Sequence, residues 1–329
     1  MRLTILLVMA LTIQSLLFAQ IPNNGINLTG MERTWDKPSF HSKAIISQLK
    51  ELQRFGYTSV RLPLAVDYLL HTDQRFLREL RKVVRYTESQ DLILILAYFD
   101  HQLAEDQLDL KVLKLQENWI AILKSLDGNL SNIYLELVNE PQLSPNTWHS
   151  VVPDLVESIR KVSPNIPLIL GATNFNSLFE LSRMKPWDLD RIIYTFHYYE
   201  PFLYTHQGTA WTGPQNSTKG IPYPFAAEAM PVLSPQARGT AGEINYRDYA
   251  LTGNRIAMED KIGQISQWAK QHQVVLWCTE FGVTVNSDPK SRQNYLLDLN
   301  QVLQNHGIPG FIWEWEGNFG VKELNLPLR

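Results

Sequence analysis

Cysteine is almost missing from this chain: Cys278 is the one thiol in 329 residues. An internal disulfide is therefore excluded, and one thiol cannot by itself build a zinc site. On its apolar segment Cys278 reads as packing rather than as a nucleophile. Gly-x-Gly-x-x-Gly, His-x-His and His-Glu-x-x-His do not occur either. Their absence removes the usual signatures of dinucleotide binding and zinc hydrolysis, so no cofactor and no metal are expected. A surplus of one charge is also lacking. Thirty basic residues against 33 acidic ones leave a net −3, which gives nucleic acid or an anionic membrane no obvious footing. After the first nineteen residues no apolar run approaches the ~20 residues that span a bilayer, so no membrane association is expected once those residues are removed.

Those first residues have their own pattern. Arg2 is followed by an apolar run from Leu3 to Leu11, broken by Thr4 alone, and then by Leu16-Leu17-Phe18-Ala19. A positive start, a short apolar region and a small residue at the end make a secretory signal peptide over residues 1–19. The mature protein is expected to be secreted or periplasmic. Asn-x-Ser/Thr triplets begin at Asn27, Asn129 and Asn216. Each is a candidate glycosylation site if the host glycosylates exported proteins.

Residues 20–329 form one domain by this reading. Short apolar runs alternate with helical periodicity, the mark of repeated βα units. Strands are expected at residues 25–28, 59–62, 92–97, 133–139, 167–171, 191–197, 274–280 and 310–313. Helices are expected at 42–55, 73–89, 111–125, 146–162, 255–272 and 289–305, with a shorter one near 176–181. Gly307 is placed to stop the last long helix. The run Leu92-Ile93-Leu94-Ile95-Leu96 is continuously apolar, as a parallel strand buried on both faces must be. Eight such strands predict an α/β fold, a closed (β/α)8 barrel. Two irregularities are expected: a long connection over residues 200–254, rich in aromatics, and a final helix that is very short or absent.

In such barrels the chemistry sits at the carboxyl ends of the strands. Arg61 ends strand two, Asp100 and His101 follow strand three, and Asn139-Glu140-Pro141 ends strand four. His197-Tyr198-Tyr199 ends strand six, Thr279-Glu280-Phe281-Gly282 strand seven, and Trp313-Glu314-Trp315-Glu316 strand eight. Glycoside hydrolysis needs two carboxyl groups facing one another across the scissile bond, and strands four and seven lie across the barrel.

With Val60-Arg61-Leu62-Pro63 before Asn139-Glu140-Pro141 and Phe311-Ile312-Trp313 closing the series, the chain resembles glycoside hydrolase family 5, the cellulase and mannanase family. The resemblance runs from Gly25-Ile26-Asn27-Leu28 to Trp313. It implies a retaining β-glycoside hydrolase, an endo-β-1,4-glucanase before others, acting on a polysaccharide or oligosaccharide as a monomer. Glu140 would be the acid/base and Glu280 the nucleophile. Asn139 would bond the sugar 2-hydroxyl. Arg61 and Tyr199 would hold Glu280 ionised, His197 would tune Glu140, His101 would line the reacting subsite, and Trp313 would stack beneath the sugar.

Other readings stay open. The barrel could favour mannan or another β-glucan, transfer sugar to sugar rather than to water, or bind carbohydrate without catalysis. A metal-dependent hydrolase would use Asp100, His101 and His197. Glu314 and Glu316 read as rim contacts or solvated residues. Trp35, Trp211 and Trp315 are either sugar platforms or packing.

Overall fold

The computed structural model describes residues 22–99, 103–128, 130–324 and 326. The expected signal peptide, Asp100, His101 and Asn129 lie outside these described residues. Eight parallel strands close into a barrel in chain order. They are β1 (Gly25–Asn27), β2 (Ser59–Leu64), β3 (Ile93–Tyr98), β4 (Ile133–Glu136), β5 (Leu168–Gly171), β6 (Ile192–Tyr198), β7 (Val275–Phe281) and β8 (Gly310–Ile312). The pairing of β1 with β8 completes the ring. Seven helices wrap it: α1 (Ser42–Arg54), α2 (Phe76–Ser89), α3 (Leu108–Ser125), α4 (Pro145–Arg160), α5 (Leu178–Arg183), α6 (Arg255–His272) and α7 (Pro289–Asn305). Each follows the strand of its own number. After β8 there is only a 3-10 turn, Lys322–Leu324, so the eighth helix is missing from the described residues.

Local chemistry explains several boundaries. Ser144 and Asp288 accept from Thr147 N and Ser291 N, and Pro145 and Pro289 open α4 and α7 at the position where a missing N–H costs nothing. Asn254 caps α6 by accepting from Ala257 N. Gly307, with φ +67°, turns the chain out of α7. Each strand sends alternate residues to opposite faces. Leu94 and Leu96 face the helices, whereas Ile93 and Ile95 join Tyr134, Ile169, Ile193, Trp277 and Phe311 in a separate cluster inside the barrel. Gly25 has to lack a side chain there, since a Cβ would stand 2.5 Å from Phe311 Cδ1.

That inner layer is the floor on which the polar layer above it rests. Trp277 is its largest member, tilted against Tyr134 at 5.1 Å and Phe311 at 6.1 Å between ring centres. Trp277→Ala is expected to cost about 3–5 kcal/mol, because the rigid strands around the hole cannot collapse into it. Denaturant unfolding checks this, and a loss under ~1 kcal/mol would mean that the floor repacks freely.

The connection over residues 200–254 holds four turns of 3-10 helix, with short helices at Phe202–Thr205, Ala241–Arg247 and Tyr249–Thr252. Its aromatics mostly anchor it. Tyr204 Oη donates to Ser291 Oγ at 3.1 Å, Tyr223 Oη to Asp298 Oδ2 at 3.0 Å, and Tyr249 Oη to the Pro222 carbonyl at 2.7 Å. The segment is thereby pinned to α7, while Trp211 keeps 60% of its surface exposed.

Two glycosylation expectations are corrected by burial. Asn27 and Asn216 are 0% and 1% exposed, so neither side chain can carry a glycan.

Candidate active site

Arg61, fully buried, organises the mouth of the barrel. Its Nε and Nη2 grip both oxygens of Glu136 at 2.7 Å, a bidentate fork. Nη1 donates to Asn27 Oδ1 at 2.8 Å and to Glu280 Oε1 at 2.6 Å, and Nη2 reaches Asn139 Oδ1 at 2.7 Å. One cation from β2 thus ties together β1, β4 and β7. Burial alone would drive the proton off, but Glu136 and Glu280 more than offset it and keep the guanidinium charged.

Glu280 points across the barrel to Glu140. A carboxylate oxygen of each and a ring nitrogen of His197 all lie within 4.8 Å of one another. Glu280 Oε2 also accepts from Tyr199 Oη at 2.9 Å. Its bonds to Arg61 and Tyr199 are those expected, yet the pull of Arg61 toward the carboxylate is outweighed. Burial, with the Glu140 and Glu136 charges added, outweighs His197 and Arg61 and raises the carboxyl above its ordinary range. Glu140 stands at the end of β4 with φ +48°, a left-handed turn that swings its side chain into the mouth. Its side chain is 26% exposed against 6% for Glu280, so the two carboxyls differ sharply in their access to water.

His197 reaches this pair through an irregularity. The β6–β7 register slips between Phe196 and His197, which sets His197 level with Glu280. Its Nδ1 is 2.7 Å from Glu140 Oε1 and 3.5 Å from Glu280 Oε2, and its Nε2 is 3.1 Å from Asn176 Nδ2. Burial opposes a charge on the ring, but the Glu280 and Glu140 carboxylates prevail and raise its pKa.

Among the described residues, Glu140, His197 and Glu280 are the one grouping of His, Cys, Asp and Glu tight enough to surround a cation. Their donor atoms are already taken up by Arg61, Tyr199 and one another.

Asn139 accepts from Arg61 through Oδ1, which turns its Nδ2 to the other side of the amide. The half-buried Trp313 lies nearly parallel to Phe99, with ring centres 6.2 Å apart at 18°. Phe99 in turn lies 5.5 Å under the Arg61 guanidinium, so cation and indole are held by one phenyl ring. Glu314 is not a solvated rim residue. It is 1% exposed and receives Thr29 Oγ1, Arg33 Nη2 and Phe319 N. Glu316 is exposed and paired with Lys322 at 2.5 Å. Trp315 is packing, buried against Phe55 and Tyr57, whereas Trp35 is 69% exposed. Cys278 is buried, and burial pushes its thiol up, far from a reactive thiolate.

Sequence reasoning brought together Arg61, Asn139, Glu140, His197, Tyr199, Glu280 and Trp313; His101 lies outside the described residues. It missed Glu136, Asn27, Phe99 and Asn176. The available signal for Glu136 was a lone carboxylate inside an apolar strand, four residues before Glu140.

Comparison with known proteins agrees with this geometry. The family described as cellulase (glycosyl hydrolase family 5) matches residues 19–319. Endoglucanase 3 of Fibrobacter succinogenes is 25% identical over 332 residues, covering 92% of this chain and 50% of its own length. Endoglucanase C of Acetivibrio thermocellus is 25% identical over 200 residues, 60% of this chain and 58% of its own. The chain therefore spans about half the length of these two relatives. A hyperthermophilic endo-beta-1,4-glucanase solved in complex with substrate shares the fold, with TM-score 0.72, 23% identity and 91% of each chain covered. From the barrel, the ring of polar residues at its mouth and the match across nearly all of its length, the chain belongs to glycosyl hydrolase family 5, the cellulase family of glycoside hydrolases.

Proposed function

We propose that the protein is a retaining endo-β-1,4-glucanase that cleaves by double displacement, with Glu280 as nucleophile and Glu140 as acid/base. The observation that carries this is that one oxygen of each carboxyl group lies within 4.8 Å of one of the other's. Retaining pairs stand ~5–5.5 Å apart, whereas inverting pairs need ~6.5–9.5 Å to admit a water between them. Their surroundings support the division of labour. Glu280 is buried and receives donors on both oxygens, which aims a carboxylate at the anomeric carbon. Glu140 keeps contact with solvent, as a group must that protonates a leaving oxygen and then takes a proton from water. Asn139, anchored through Oδ1 by Arg61, leaves its Nδ2 to donate to a sugar hydroxyl, and Trp313 offers a stacking face. The preference for a β-1,4-glucan leans on the endoglucanases that the chain resembles. Because a polymer of this size is met outside the cell, we propose that residues 1–19 direct export.

Reducing-sugar release from soluble β-1,4-glucan, mixed-linkage β-glucan, mannan and xyloglucan tests the substrate. Release from the β-1,4-glucan is expected to dominate. Release from mannan alone would replace the glucanase reading, and none from any polymer would sink it.

Glu140→Gln tests the role of the acid/base. Activity on polysaccharide should fall by about 10²–10⁴-fold, the usual worth of general acid–base catalysis. With a dinitrophenyl glycoside, whose leaving group needs no proton, a rapid release of phenolate should survive ahead of slow turnover. An equal loss on both substrates would remove Glu140 from that role.

A further inference from the structure

Three consecutive residues after β5, Asn174, Phe175 and Asn176, have φ of +57°, +63° and +50°. Left-handed backbone is tolerated by Asn but is strained for Phe, and such strain persists where the surrounding structure holds it for a purpose. What this turn delivers is the Asn176 amide, fully buried, with Nδ2 3.1 Å from His197 Nε2. Oδ1 has no hydrogen-bond partner among the described residues. It lies against Gly171, where a Cβ would come within 1.9 Å of it, so the strand must end in glycine to admit the amide. Ser177, the next residue, bridges to His197 itself. A strained turn, a glycine and an unpaired buried acceptor are thus all retained around one contact to the histidine between the two glutamates.

That contact has a definite polarity. An amide nitrogen can only donate, so the ring nitrogen facing it must accept. We propose that Asn176 is a positioning residue that holds His197 Nε2 unprotonated, so that the single ring proton sits on Nδ1 and is donated to Glu140.

This rests on the reading of Glu140 as acid/base. Carboxylates on either side draw the ring toward the imidazolium, and Asn176 opposes them because an Nε2–H would meet an N–H. A neutral donor at Nδ1 favours the Glu140 carboxylate less than a full positive charge would. The other charged groups that act on the ring are Glu280 on β7 and Arg61 on β2. They are unchanged in the variants below.

Imidazole nitrogen NMR of the ¹⁵N-labelled protein, with His197 assigned by the signals lost in His197→Gln, tests the proposal without any turnover. At neutral pH the wild type is expected to show a protonated Nδ1 and a bare Nε2. Asn176→Gly, which suits the left-handed backbone, removes the opposing N–H and should raise the share of rings protonated on both nitrogens. Asn176→Asp, whose carboxylate accepts from Nε2–H, should protonate both nitrogens.

The basic limb of kcat/KM on an aryl β-cellobioside should then move down in both variants. In Asn176→Gly nothing opposes the imidazolium that the two carboxylates favour, and its charge favours that of Glu140. In Asn176→Asp the added acceptor at Nε2 favours the imidazolium further, and the limb moves down more, by on the order of one pH unit. A protonated Nε2 in the wild type, or limbs that stay put while kcat alone falls, would overturn the proposal. Should Asn176→Gly fail to fold, the isosteric Asn176→Asp carries the test. If Glu140→Gln leaves the basic limb intact, the acid/base assignment fails, and the nitrogen spectrum still decides the role of Asn176.

Discussion

Glu280→Ala should abolish turnover, lowering kcat by on the order of 10⁴-fold or more, as removal of a covalent nucleophile does in other enzymes. The reason lies in the neighbours it leaves behind. Arg61 Nη1 and Tyr199 Oη, at 2.6 and 2.9 Å, exist here to present two carboxylate oxygens, and water in the vacated space cannot form the glycosyl–enzyme bond. Azide or formate should partly restore release from an activated glycoside and yield the product of opposite anomeric configuration, because the small anion attacks from the face that the carboxylate used. Residual polysaccharide cleavage within ~10-fold of wild type would dismiss Glu280 as nucleophile.

The same residue sets the acid side of the pH profile. A nucleophile must be ionised, so kcat/KM declines as pH falls through its pKa. Burial raises that pKa. The acid limb should therefore lie above the ~4.3 of an ordinary glutamate, and a midpoint below it would contradict the stated environment.

Arg61→Leu should be the most destabilising single change at the mouth. It leaves Glu136, with no exposed surface, and Glu280, nearly buried, without their cation. Breaking a buried ion pair from one side costs about 3–5 kcal/mol. A melting temperature lower by on the order of 10 °C should accompany it. The acid limb should also move further up in pH, since one of the groups that favour the Glu280 charge is gone. Adding Glu136→Leu should recover part of the stability, because the stranded charge is removed, but none of the activity, because Glu280 still lacks its donor. Recovery of both would make Arg61 a purely structural residue. No stability loss at all would mean that water or a shifted proton replaces the guanidinium.

The barrel was legible because its evidence is periodic. Runs such as residues 92–97 can only be strands buried on both faces, and the helical stripes between them set the order. The paired glutamates were legible because each ends a strand within a short recognisable word, Asn139-Glu140-Pro141 and Thr279-Glu280-Phe281-Gly282. What escaped depends on three-dimensional partners. Asn27 looks like a glycosylation triplet in one dimension and is a buried ligand of Arg61 in three. Glu136 is an odd carboxylate in an apolar strand whose role shows only once Arg61 is seen to face it. Trp313 and Trp315 are two residues apart and share a side of the chain by simple alternation, yet one lines the mouth and the other packs on Phe55. The aromatics of residues 200–254 spoke for order without naming their partners, and Tyr204 and Tyr223 prove to fasten that segment to α7.

The Arg61 contacts also bear on how the chain becomes an enzyme at all. Their partners come from β1, β4 and β7, so the cation finds them together only once the ring of strands has joined. A barrel lacking β7 would keep the Arg61–Glu136 pair but leave Glu280 without its cation, and would be inert. The set of contacts that readies Glu280 is thus complete only in the closed ring.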